Sequence, residues 1–173
     1  MNDRETALWW VKARSGGPQH APAGTATPAG MRRLIAPDAQ SVWFLPAIPS
    51  QAGPDVLAEY GQPAATFTDP AGTLRVFAAC LRCCWPDPGV DPWPGQPADL
   101  ARIDRVLELL HPGRDRISRQ RLLTAGLRRL ETARWVLQAP GSVRLGPRVA
   151  TWGALELSTI RELWRLIPPD DER

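Results

Sequence analysis

The chain has one lysine, Lys12, two histidines and three cysteines. A phosphate-cradling loop needs glycines followed by Lys-Ser or Lys-Thr, and Lys12 lies outside any such loop. Neither G-x-S-x-G nor H-E-x-x-H occurs. His20 and His111 lack the nucleophile and orienting partners of a histidine-based catalyst. Cys80-Leu-Arg-Cys83-Cys84 contains a C-x-x-C, but a closed zinc site needs four ligands and no second pair is spaced to complete one. The βαβ setting of a redox C-x-x-C is also missing. These cysteines read as packing residues on a helix. No apolar run approaches the roughly eighteen residues of a membrane span. The start, MNDRETALWWVKAR, carries acids and lacks the long apolar segment of a signal peptide. An odd cysteine count argues against a disulfide framework and makes a reducing cytoplasm the expected compartment. The expectation is a cytoplasmic protein that is not an enzyme, holds no metal or cofactor and does not enter a membrane.

What is abundant is proline, glycine, tryptophan and arginine. Nineteen prolines and fourteen glycines lie mostly in the first hundred residues and predict long irregular segments there. Eight tryptophans, each with an N–H to satisfy, are expected at core margins or contact surfaces. The net charge of +3 is unevenly distributed. Residues 1–97 carry a net of −1 and residues 98–173 a net of +4. Between Arg114 and Arg148 nine arginines face only Asp115 and Glu131. So dense an arginine block suits phosphates or an acidic protein surface, or forms a solvated face.

Along the chain, residues 5–14 predict a short helix showing Leu8, Trp9, Trp10 and Val11. Ser15–Gly30 reads as a linker without a large apolar side chain. Leu34–Ile35 and Ser41–Ile48 read as strands, the second interrupted by Pro46, and Asp55–Tyr60 as a helical turn or two. TFTDPAGTLRVFAACLRCCW admits a hairpin or a helix. The helix is preferred, with Asp69 as N-cap, Pro70 at its first helical position and Leu74, Phe77, Leu81 and Cys84 at helical spacing. Pro86–Pro97 reads as a stiffer linker. Leu100, Ile103, Leu107 and Leu110 mark an amphipathic helix that Pro112–Gly113 stops. Ile117 fits a one-residue strand, and Ser118 is the expected N-cap of a helix reaching about Ala133. Its inner face would carry Leu123, Leu127 and Leu130, and its outer face Arg121, Ala125, Arg128 and Thr132. Trp135–Leu137 and Val143–Leu145 flank the turn APGS, Leu155–Ile167 is a last helix, and the charged tail DDER follows. Asp104 and Glu108, among Arg102 and Arg105, predict solvated ion pairing. The expected organisation is a flexible segment over 1–30 with a short aromatic helix, an irregular α/β region and Pro-rich linker over 31–97, and a domain over 98–168. The fold class is α+β, mainly α.

Helix, loop, helix, then LRRLETARWV, a glycine turn and VRLGPRV resembles the winged helix-turn-helix fold of bacterial transcription regulators, over about residues 98–167. The second wing strand is similar to that of IclR-type regulators. Ser118–Ala133 has room for one helix of about four turns, with Gly126 its single turn residue, so the resemblance is to an abbreviated winged helix. It implies DNA binding and a regulatory role. Arg121 and Arg128, with Arg129 beside them, would face the major groove across the small Thr124, Ala125 and Thr132. Arg144 and Arg148 on the wing, and Arg119 with Arg114 and Arg116 near the helix start, would hold phosphates. The alternative is a protein–protein adaptor using the same fold. In that role Trp9 and Trp10, tethered by the linker, would anchor a partner.

Overall fold

A computed structural model describes residues 1–50, 52–53, 55–62 and 70–170. The chain divides into two compact units, Met1–Phe67 and Thr68–Arg173. It is an α+β protein, mainly helical.

The N-terminal unit begins with α1 (Asp3–Gly16). This helix outruns the expected 5–14 because a capping box starts it. The Glu5 N–H donates to the Asn2 side chain at 2.9 Å, and the Asn2 N–H donates back to the Glu5 carboxylate at 2.9 Å. Gly17, at φ 89°, ends it. Three strands follow, β1 (Gln19–Pro22), β2 (Met31–Ile35) and β3 (Ser41–Pro46), forming an antiparallel sheet in the order β1-β3-β2. The presence of β1 corrects the linker reading of Ser15–Gly30. Among its four residues only Ala21 is buried, so backbone pairing of Gln19 with Phe44 through Pro22 with Ser41 orders the segment. Central β3 buries Val42 to Pro46. Pro46 is tolerated because it occupies the strand's last position. The short α2 (Asp55–Glu59) packs Val56 and Leu57 on Ala7 and Val11 of α1.

The C-terminal unit runs α3 (Ala71–Cys84), β4 (Ala98–Asp99), α4 (Leu100–Leu110), α5 (Arg116–Thr132), β5 (Val136–Ala139), β6 (Ser142–Leu145), a 3₁₀ turn (Pro147–Thr151) and α6 (Ala154–Leu166). The helix reading of LRVFAACLRCC holds. The expected cap Asp69, and the strand ATFT of the hairpin alternative, lie outside the described residues. α3 buries Val76, Ala79, Cys80, Leu81, Cys83 and Cys84, while Leu74, expected on the inner face, is exposed. Because α3 contributes this much of the core, the compact unit begins at Thr68, not at residue 98. Pro86–Pro97 is irregular as expected, but it is held to the core. The Gln96 N–H donates to the Cys84 carbonyl at 2.8 Å, the buried Trp85 indole donates to the Val90 carbonyl at 3.1 Å, and Trp93 packs against the core.

α4 buries Ile103, Val106 and Leu107, with Leu100 and Leu110 at its margin. α5 starts earlier than the sequence suggested. Asp115 is the N-cap, its carboxylate accepting the Ser118 N–H at 3.0 Å, which places Ile117 in the first helical turn and in solvent. Leu123, Leu127 and Leu130 share one core with Ile103, Leu107 and Val136. Gly126 does not break α5. A methyl at that position would lie 2.8 Å from Val76 Cγ2, so the glycine lets α3 and α5 approach closely. β5 and β6 form the hairpin, with Gly141 at φ 73° in the turn, and β4 adds on the other side to give the order β4-β6-β5.

Candidate functional site

The tight connection between α4 and α5, His111 to Asp115, sets the two helices as a pair ahead of the hairpin. The turn lies ahead of Arg116–Thr132 and not at Gly126 within it. α5 presents Arg116, Gln120, Arg121, Thr124, Ala125, Arg128, Arg129 and Thr132 to solvent. The guanidinium groups of Arg121, Arg128 and Arg129 make no ion pair with a described residue. The one acid on α5, Glu131, is engaged by β5, whose Gln138 donates its backbone N–H at 3.1 Å and its side-chain amide at 2.8 Å. On the hairpin Arg144 is half-buried and stands opposite Leu137.

Two expected contact residues are internal. The Arg119 side chain is 8% exposed and forks onto α4, donating to Asp104 Oδ1 at 2.9 Å, Asp104 Oδ2 at 3.2 Å and Glu108 Oε1 at 2.9 Å. This also corrects the expected pairing of Asp104 and Glu108 with Arg102 and Arg105, which instead hold Asp170 at 2.6 and 3.0 Å. Arg148 is buried as well. Its guanidinium lies 4.5 Å from the Trp135 ring centroid and donates to the Ala133 carbonyl at 3.2 Å. Both arginines fasten α5 to its neighbours, and neither projects toward a ligand. Arg119→Met should cost about 1–2 kcal/mol, between an exposed and a fully buried ion pair, because Asp104 keeps 23% of its side chain in water. Urea denaturation measures this, and a loss under about 0.5 kcal/mol, typical of a surface change, would show that the fork does not hold the helices together.

The arginine block therefore presents fewer free charges than its sequence count suggests, but the fold adds a cation from outside the block, Arg75. His111 is held below its ordinary pKa by partial desolvation and by the nearby Arg75 of α3 and Arg114. Arg114 and His111 line a shallow concavity with Pro112, Gly113, Asp115 and Ser118. Hydrogen bonds from the Ser118 hydroxyl and backbone keep the Asp115 carboxyl below its usual range. Arg75 lies far from the block in sequence, and only the packing of α3 brings it to this turn.

The remaining expected sites resolve differently. Trp10 is buried, its indole donating to the Ile48 carbonyl at 2.5 Å, so it belongs to the N-terminal unit's own packing and is not a tethered anchor. Trp9 is half-buried, with the Lys12 ammonium 5.2 Å from its ring centroid. The three thiols are buried. Burial, against nearby arginines, pushes Cys83 up to about 11, and burial with Cys83 beside it pushes Cys84 up to about 12. They stay protonated near neutrality and are poor nucleophiles or ligands. The Cys84 thiol donates to the Val143 carbonyl at 3.4 Å. Among the described residues no cluster of His, Cys, Asp or Glu is arranged to hold a metal, and no helix is long and apolar enough to cross a membrane.

No family model, curated protein or solved structure matches this chain.

Proposed function

We propose that the C-terminal unit is a winged-helix module that binds duplex DNA in a regulatory role, with α5 as the reading helix and β5–β6 as the wing. The order α3-β4-α4-α5-β5-β6 is helix, strand, two helices and a hairpin, which supplies the helix pair and wing that such modules place on DNA. The observation that carries the proposal is the outward face of α5. Arg121, Arg128 and Arg129 surround the small Thr124, Ala125 and Thr132, and the helix's one acid is turned toward β5. A helix entering the major groove needs cationic ends and short side chains between them, because bulk would hold it off the bases.

Affinity for a duplex should fall steeply with salt, each phosphate contact adding about −0.9 to the slope of log K against log salt. Arg144→Ala should flatten that slope by about one contact, as read from titrations at several salt concentrations. No duplex binding at low salt would reject the proposal.

One feature favours the adaptor reading as a second possibility. α6 rests Leu157, Ile160 and Trp164 on the core but exposes Leu155, Leu163 and Leu166, apolar surface of the kind a protein partner covers.

A further inference from the structure

The outward face of α5 also has a spacing that can be compared with the base stack. Arg121 and Arg128 lie one heptad apart on the same side of the helix, and Thr124 and Ala125 occupy the positions between them. Seven helical residues advance about 10 Å, and stacked base pairs rise about 3.4 Å. Two side chains so placed meet base edges about three steps apart. Arginine's planar fork matches the two acceptors of guanine, O6 and N7, better than any other base edge. The Ala125 methyl, and that of Thr124, offer no fork and suit the apolar C5-methyl of thymine. Arg129 is displaced about 100° around the helix from Arg128, which aims it at the phosphates flanking the groove.

Among the described residues the guanidinium groups of Arg121 and Arg128 are not committed elsewhere. Arg119 and Arg148 show what commitment looks like in this fold, with carboxylates, a carbonyl and an indole ring filling their bonding positions. Arg121 and Arg128 have no such partners among the described residues, so both forks are available for bidentate bonds. The base of the helix they stand on is also fixed. Gly126 seats α5 against Val76 and the Arg119 fork ties it to α4, so the two side chains leave a rigid support. Rigid support is what converts charge into base discrimination.

We infer that this protein selects duplex DNA carrying two guanines separated by about three base-pair steps, with Arg121 and Arg128 each reading one and Thr124–Ala125 favouring thymine between them. This rests on the DNA-binding reading above and assigns the base preference of the same face.

The test is selection of the full-length protein on duplexes with a randomised core, followed by titration of the selected sites. The expected result is enrichment of two guanines at that spacing. Arg128→Ala should abolish preference at one of them and Arg121→Ala at the other, each lowering discrimination roughly tenfold, within the range of one bidentate base contact. Arg128→Lys keeps the charge but loses the fork, so its discrimination should fall far more than its affinity for an unselected duplex. Circular dichroism of each variant should match the parent, since both side chains are in solvent. Duplex binding without base preference, or a preference that both substitutions leave intact, would overturn the inference while sparing the DNA-binding reading. No duplex binding at low salt would overturn both and leave a protein partner for this face.

Discussion

Gly146→Ala is expected to destabilise the C-terminal unit by roughly 3 kcal/mol or more, the upper end of what overpacking costs. The conformation is not the obstacle, because Gly146 has φ −86°, which alanine adopts freely. The obstacle is space. A methyl there would fall 2.2 Å from the Arg134 carbonyl oxygen, 2.7 Å from the Arg134 carbonyl carbon and 2.8 Å from that of Trp135. These are backbone atoms, and no rotamer change moves them aside. Shifting them would disturb two hydrogen bonds at once, from the Gly146 N–H to the Trp135 carbonyl at 2.7 Å and from the Arg148 N–H to the Arg134 carbonyl at 3.2 Å. Arg134 already stands at φ 63°, the left-handed residue that turns the chain from α5 into β5. The substitution therefore strikes where the hairpin returns to α5. Chemical denaturation should show the loss, and a change below about 0.5 kcal/mol, ordinary for a surface site, would mean that the crossing is looser than its geometry indicates.

Leu127→Ala should cost roughly 2–5 kcal/mol, the usual range for truncating a core leucine. Leu127 is 3% exposed and belongs to the cluster that joins α3, α4, α5 and the hairpin. Next to it, Gly126 brings α3 within van der Waals contact, leaving little freedom for the helices to collapse into the vacated volume. The expected cost is therefore in the upper half of that range. Denaturation against urea at fixed pH measures it. A loss of half a kcal/mol or less would reject the placement of this face in the core.

The inner face of α5 was legible in sequence because three leucines recur at helical spacing and nothing polar interrupts them. α4 and the hairpin were legible for the same reason, with proline and glycine marking their ends. Arg119 and Arg148 were misread because a charge pattern shows how many arginines a segment holds and not which way each points. Asp104 and Glu108 carried the missing signal. They form an i, i+4 carboxylate pair on a helix that must pack beside α5, and such a pair attracts a cation across the helix interface. β1 was hidden because its order comes from the partner strand, and Gln-His-Ala-Pro has no apolar period of its own. Pro86–Pro97 reads as a separator in sequence because proline dominates it, whereas Trp85 and Gln96 fold it back onto the core. Leu74 shows the limit of a helical wheel. The periodicity identified the helix but put the centre of its buried face slightly to one side of where Val76 and Cys80 place it.

The three thiols of α3 give the C-terminal unit a built-in clock. Cys80, Cys83 and Cys84 sit in the same core as Leu127 and the hairpin, closed to solvent and protonated. An alkylating reagent reaches them only when α3 comes away from the core around it, so the rate of thiol labelling under native conditions counts how often the unit opens. No dye has to be introduced, and the same rate can be followed with and without added duplex.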